Sequence, residues 1–355
     1  MKQKLLIINF ASFGYHIDTY EYCHKLKDQF DIKYICVDNG EKKLSLNGVN
    51  VCYISRKWPR IIRGVLFFLK SIFACAFFNG KIFVVYNETA LLLKRILFFR
   101  KMHLDIRTMA VTSDEHFNQR WNEKLVKTIP LYESVSFISE GLRRKLLTEG
   151  SQKKTYILPL GTNYYNCSNK SNDGISLLYV GTFSNRRIEQ TIFGIKLFLD
   201  KYPEYENKTK YTIIGSGSGK NLISDAVERC NLSKVVSMIG YIPHDQLPYY
   251  MESANVGLSF IPLTDYFDFQ PPTKTFEYIG AGMFCIATKT SANCEIINEE
   301  NGVLIDDTPE GVCFGLEKAR QKLATINVSR VQKSIAEYTW DNIAKNILLE
   351  ILYET

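Results

Sequence analysis

One short pattern occurs twice in this chain of 355 residues and limits what it can fold into. Near the start, Leu5-Leu-Ile-Ile-Asn-Phe10 is an unbroken apolar run, followed by the glycine-containing loop 11–16 and a helix-like stretch at 18–30. The same order returns 170 residues later: Ile175–Val180, a glycine loop, then helical spacing over 188–199. A strand that is apolar on both faces must be covered on both, so each run predicts an inner strand of a parallel sheet with helices on either side.

Further strands are expected at 32–37, 51–54, 82–86, 103–109 and 134–139, and in the second half at 211–214, 235–239, 256–260 and 284–287. The alternation predicts an α/β protein of two Rossmann-like domains facing each other across a deep cleft. Residues 1–162 would form the first and 163–339 the second, with the polar stretch 163–174 as the linker between them. A last helical segment at about 340–355, with Ile343, Ile347, Leu348 and Ile351 in phase, is free to pack back on the first domain.

Apolar residues at 46% and charged residues at 23% supply two cores and exclude disordered and fibrous classes. Nine cysteines with no C-x-x-C pair argue against a disulfide framework or a zinc site, and the N-terminus lacks a secretory pattern. A cytoplasmic protein is expected. Charge divides unevenly: residues 1–162 carry 26 Lys and Arg against 14 Asp and Glu, and residues 163–355 carry 18 against 23. A basic first half suits an anionic membrane surface or an acidic ligand. The apolar stretch 61–78 is interrupted by Arg63 and Lys70, which makes it non-spanning. It reads either as a buried helix or as an amphipathic element touching a membrane, and the run Leu93-Lys-Arg-Ile-Leu-Phe-Phe-Arg100 adds to the second possibility.

Three motifs carry chemistry. Gly215-Ser-Gly-Ser-Gly-Lys220 follows a strand and precedes a helix, but its spacing fits neither a P-loop nor a dinucleotide fingerprint. Gly215 and Gly217 are then either ligand-approaching backbone or parts of a tight turn. Gly181-Thr-Phe-Ser-Asn-Arg-Arg187 places two guanidinium groups, Arg186 and Arg187, in the loop after the second half's first strand, where a diphosphate would suit their fork geometry. In the segment from Asp265 to Gly282, Pro271-Pro272 fixes an extended entry and Thr273 is placed to cap a helix whose N-terminus would seat a phosphate. Lys274 adds charge there, and Glu277 can accept two hydrogen bonds from a vicinal diol such as a ribose.

Together with Ile239-Gly-Tyr-Ile-Pro-His-Asp-Gln-Leu-Pro-Tyr-Tyr250, Glu295-Ile-Ile and Asn301-Gly-Val-Leu, these motifs resemble the retaining family 4 glycosyltransferases of GT-B fold. Val135-Ser-Phe-Ile-Ser-Glu-Gly-Leu and Ile157-Leu-Pro-Leu-Gly-Thr-Asn163 are similar to the end of that family's acceptor domain. The resemblance implies a second domain that binds a nucleotide-sugar donor, UDP-linked in preference to GDP-linked. Glu277 would hold the ribose hydroxyls, Arg187 with Arg186 the diphosphate, Gly240-Tyr241-Ile242 the base, and Gly14 of the first domain would lie near the phosphates. The family's other glutamate, eight residues before Glu277, is here Phe269, so Asp268 or a main-chain amide near Pro272-Thr273 would substitute. Thr182 stands where a basic residue is usual, leaving the phosphate charge to Arg186, Arg187 and Lys274. Arg107 would fill the role of a histidine that reaches the donor sugar, with His116 the weaker candidate.

The expectation is a retaining transfer of a sugar to a saccharide or lipid-linked saccharide in cell-surface polysaccharide synthesis, as in a bacterial capsule or O-antigen. Arg187, Lys274 and Arg107 would carry the catalysis, with no cofactor and, lacking D-x-D, no metal. The protein would bind no nucleic acid and would touch the inner membrane face peripherally. The alternatives are a nucleotide-sugar epimerase of the same fold and a non-catalytic partner subunit.

Overall fold

The computed structural model describes residues 2–355 except 41, 111, 113, 148–150, 168–169, 172, 244–245 and 266. His244 and Asp245 of the 239–250 motif, and Tyr266, lie outside the described residues. The chain divides into two compact units, Met1–Leu160 with Trp340–Thr355, and Gly161–Thr339. The division falls two residues before the 162/163 boundary because Thr162 donates its N–H to Tyr338 and bridges Thr339.

The first unit holds a parallel sheet of β1 (Gln3–Ile8), β2 (Phe30–Val37), β3 (Val49–Ile54), β4 (Lys81–Val85), β5 (His103–Ile106), β6 (Ser134–Phe137) and β7 (Thr155–Ile157). The strand order is β3-β2-β1-β4-β5-β6-β7. The second unit holds β8 (Ile175–Val180), β9 (Thr209–Ile214), β10 (Val236–Gly240), β11 (Val256–Ser259), β12 (Phe284–Thr288) and β13 (Gly302–Ile305) in the order β10-β9-β8-β11-β12-β13, again parallel. In both, the first strand of the unit lies between its second and fourth, so the chain reverses direction across the sheet beside that strand. This is the switch point where open α/β sheets bind ligands at the strands' carboxyl ends.

The apolar runs produce this arrangement by burial: Leu5 to Ile8 of β1, and Leu177, Leu178 and Tyr179 of β8, are almost wholly removed from solvent. The segment after Trp340 completes the first unit's core with Trp340, Ile343, Leu348 and Ile351, all buried, and Trp340 meets Tyr22 edge-on. Lys25 and Asp341 pair at 2.8 Å, and Lys154 and Glu354 at 2.7 Å.

One face of β5 is polar inside the core. His103 lies between the Ser134 and Ser136 hydroxyls, 2.8 Å from each, and Ser136 donates to Asp105 at 2.6 Å. Burial pushes the His103 pKa down to about 3, so the ring is neutral. The same burial lifts Asp105 to about 6, against the pull of Arg107.

The stretch read as a linker, 163–174, is built into the second unit. Tyr165 donates its N–H to Gly280 at 3.1 Å, Gln332 donates to the Tyr165 carbonyl at 3.0 Å, and Lys170 Nζ donates to the Met251 carbonyl at 2.7 Å. Backbone groups of Tyr165 and the Lys170 ammonium bond to polar groups of the unit, which is why the stretch shows no apolar period.

Candidate functional site

At the carboxyl ends of β8 and β9, two glycine-bearing loops interlock. Phe183 donates its N–H to the Ser216 carbonyl at 2.9 Å, and the Ser218 N–H reaches Ser184 Oγ at 3.1 Å. Gly215 and Gly217 both have φ of +146°. A Cβ on Gly215 would stand 1.8 Å from the Gly181 carbonyl oxygen, and one on Gly217 2.7 Å from the Ser184 nitrogen. These glycines are therefore required by loop-against-loop packing. The backbone they bring together, at 181–182 and 215–216, lines a pocket of about 380 Å³ with Tyr241, Ile242 and Leu247. Tyr241 is 75% exposed at its rim.

Helix Thr273–Gly280 begins beside these loops. Its N-cap position is taken by Pro272, which offers no capping side chain, and Thr273, expected as the cap, is the first helical residue. The Thr275 N–H turns back to the Pro272 carbonyl at 3.1 Å, which leaves the N–H groups of Thr273 and Lys274 for whatever lies in front of the helix. The helix is fixed from behind: the Tyr278 hydroxyl accepts from Val180 N–H at 2.7 Å, and Thr275 Oγ1 meets Ser259 Oγ at 2.8 Å and donates to Asn293 Oδ1 at 3.0 Å. Gly257 of β11 leaves room for the Tyr278 ring, since a Cβ there would come within 2.3 Å of it.

Three cations gather at this edge. Lys274 Nζ lies 3.9 Å from the centre of the Tyr179 ring. Burial pushes its pKa down to about 7, the Arg186 guanidinium adds to the fall, and the charges of Cys285 and Glu277 oppose it. Arg186 stacks on Phe267, 4.0 Å from the ring centre. Arg187 Nη1 donates to Asp307 Oδ2 at 3.2 Å, and the same oxygen accepts from Leu263 N–H at 3.1 Å. Both Asn185 and Arg187 hold left-handed backbone, at φ +56° and +54°, an uncommon state for residues with a Cβ. Glu277 is half-buried one turn beyond Lys274 on the same helix.

The structure thus assembles Arg186, Arg187, Gly215, Tyr241, Ile242, Pro272, Thr273, Lys274 and Glu277 around neighbouring strand ends of one sheet. Asp268, expected to replace the missing glutamate, spends both oxygens elsewhere: Oδ1 accepts from the Ser291 N–H at 2.8 Å and Oδ2 from its hydroxyl at 2.5 Å.

Arg107 is likewise committed. Its guanidinium meets Asp18 at 2.7 Å and Asp105 at 3.7 Å, and donates to the Leu158 carbonyl at 2.7 Å. Those carboxylates raise its pKa and tie the group, its side chain 9% exposed, within the first unit. Gly14, in the loop after β1, has φ +87°, and a Cβ there would strike Leu44 at 2.3 Å. Sequence reading missed Tyr179, Phe267 and Asp307, the partners of the three cations. Nothing in the Asp306-Asp307 dipeptide or in an apolar strand signals such contacts.

A cluster of cations beside an uncapped helix N-terminus is suited to holding a diphosphate and to stabilising charge that develops on it. Residues 174–319 match the family described as "Glycosyl transferases group 1". A phosphatidylinositol N-acetylglucosaminyltransferase subunit of Arabidopsis thaliana is 24% identical over 166 residues, covering 45% of this chain and 35% of that protein. Its human counterpart is 24% identical over 183 residues, covering 50% and 36%. The matched region thus spans about a third of these curated relatives' length. Among solved structures, Anabaena HepE in complex with UDP and glucose superposes with a TM-score of 0.73 at 15% identity, over 99% of this chain and 100% of that one. Sucrose-phosphate synthase of Thermosynechococcus elongatus gives 0.71 at 17%, over 99% and 98%. At such identities the likeness is one of fold. The chain has the two-unit α/β fold of the GT-B glycosyltransferases, and its residues 174–319 are similar to the glycosyl transferases group 1 family.

Proposed function

We propose that this protein is a retaining glycosyltransferase that moves a sugar from a UDP-sugar to a saccharide or lipid-linked saccharide acceptor of a surface glycan. The observation that carries the reading is the closeness of Lys274 and Arg186 at the start of the Thr273 helix, with Arg187 in the adjoining loop after β8. As the glycosidic bond breaks, the departing diphosphate gains negative charge, and cations already in place there lower the barrier without reorganising. Glu277 holds the ribose hydroxyls, and the pocket beside Tyr241 and Ile242 takes the base. UDP is preferred over GDP because HepE, of the same fold, was solved with UDP. With arginines and a lysine meeting the diphosphate, the reaction runs without a metal, and transfer that persists in EDTA is the expected sign of that.

The lipid-side acceptor is supported by helix Arg60–Phe77. Only Phe67, Ser71 and Cys75 of its 18 residues are buried. Ile61, Val65, Leu69, Phe73 and Phe77 follow one another at four-residue spacing on the exposed side, Ile61 and Phe77 at 83% and 84% exposure. Exposed Phe98 and Phe99 add to the apolar surface, and Arg60, Lys70 and Arg95 supply cations. No described helix is long and apolar enough to cross a membrane. The curated relatives are named for an acceptor that is itself a lipid, phosphatidylinositol.

Calorimetric titration with UDP, GDP, ADP and NAD tests the donor reading. UDP alone should bind tightly, and binding only of NAD, or of none, would end it. Vesicles of anionic lipid test the membrane contact: the protein should co-sediment at low salt and less so as salt rises, and Phe73→Glu with Phe77→Glu should abolish the association.

A further inference from the structure

Helix Glu115–Thr128 and the loop after β4 enclose a pocket of about 250 Å³ in the first unit, lined by Glu88, Phe117, Arg120, Trp121 and Lys124. The four helical residues fall at i, i+3, i+4 and i+7 and so share one face. The Phe117 and Trp121 rings lie 5.8 Å apart at 37°. Tyr86 meets Trp121 edge-on at 5.5 Å and donates its hydroxyl to the Trp121 carbonyl at 3.4 Å, which fixes the indole from behind. The indole N–H is shielded from solvent and has no acceptor. None of the ion pairs or side-chain hydrogen bonds found among the described residues uses the charged groups of Glu88, Arg120 or Lys124.

We infer that this pocket is a subsite for a sugar ring that carries a negative group, a phosphate or a carboxylate. The two rings offer the flat apolar surface that the C–H face of a sugar covers, while Glu88 accepts from its hydroxyls. Arg120 and Lys124 outnumber Glu88, so the pocket favours an anion on that ring. A purely apolar ligand would strip water from three unpaired charges, and a neutral sugar would leave the excess positive charge unanswered. The inference rests on the transferase reading only in taking this ring to be part of the acceptor; the binding itself does not depend on it.

The test is calorimetry on the whole protein with saturating UDP present, which keeps anionic probes out of any donor site. Glucose 6-phosphate and glucuronate should bind, and glucose and inorganic phosphate should bind about tenfold more weakly. Trp121→Ala should weaken every sugar probe by about tenfold, and the pair Arg120→Ala with Lys124→Ala should reduce the anionic sugars to the level of glucose. An octyl phosphodiester of glucose that binds as well as glucose 6-phosphate would point to a lipid-linked source, and binding of the monoester alone to a soluble one. A circular-dichroism spectrum and a first-unit denaturant midpoint that are unchanged in Trp121→Ala show the variant to be folded. If UDP does not bind at all, the donor reading has failed, and the sugar titrations without it still read this pocket. Anionic sugars that do not bind, or that bind equally well to Trp121→Ala, overturn the inference.

Discussion

Arg107 and Lys274 make an instructive pair. Each lies near the carboxyl edge of a parallel sheet, one in each unit and alike in order over six strands, and sequence alone offers both as phosphate or sugar ligands. Their surroundings separate them. Arg107 is met by Asp18, Asp105 and the Leu158 carbonyl, so its charge is answered inside the protein and its pKa is driven up. Lys274 faces the Tyr179 ring with Arg186 nearby, and its pKa is driven down to about 7. A cation that the fold has already neutralised serves the fold, whereas one held next to another cation in a poorly solvated place is poised for an anion from outside.

That contrast breaks down unless the two residues fail differently when removed. Arg107→Ala strands two buried carboxylates and should destabilise the first unit by about 3–5 kcal/mol, visible as an early transition in denaturant while UDP still binds the second unit. Should the unit keep its stability, the tie described for Arg107 is wrong. Lys274→Ala should leave melting nearly untouched but lower turnover by about 100- to 1000-fold, in line with loss of one group that stabilises a leaving anion. Smaller again, Glu277→Ala should weaken UDP binding by about 1–3 kcal/mol, the cost of losing a charged hydrogen-bond acceptor. An effect as large for UDP as for uracil alone would remove Glu277 from the ribose.

The finest test concerns pH. With its pKa near 7, Lys274 is mostly neutral at pH 8, and a bound diphosphate favours the charged form. Binding of UDP-glucose should then take up close to one proton at pH 8, and affinity should fall by about tenfold for each pH unit above 7. Calorimetry in buffers of different ionisation enthalpy measures the uptake, and Lys274→Met should flatten the pH dependence. A pH-independent affinity would mean that Lys274 does not meet the diphosphate.

Much of the fold is legible in the sequence because its signals are local. Apolar runs such as Ile175–Val180 and glycine loops at strand ends report the parallel sheets directly. The polar face of β5 is not legible, since His103 and Asp105 look exposed until the Ser134 and Ser136 hydroxyls across the sheet are known. The segment 163–174 misled for a similar reason: its polar groups satisfy backbone carbonyls distant in sequence. At the candidate site the cations and Glu277 stand out by type and spacing. The Asp268 carboxylate is engaged by Ser291, 23 residues away, and the glycines at 215 and 217 pack against a neighbouring loop. Partners supplied by other segments leave no periodic trace.

Because Trp340–Thr355 belongs to the first unit, that unit is written in two instalments with the whole second unit between them. During synthesis the second unit can close its sheet while the first still lacks Trp340, Ile343 and Leu348 and exposes the apolar surface they will cover. A fragment ending near residue 160 would keep that bare surface for good and should aggregate, while 161–339 has every strand of its own sheet. The second unit is thus written in one continuous segment with its sheet complete, and the first unit needs Trp340–Thr355 as well.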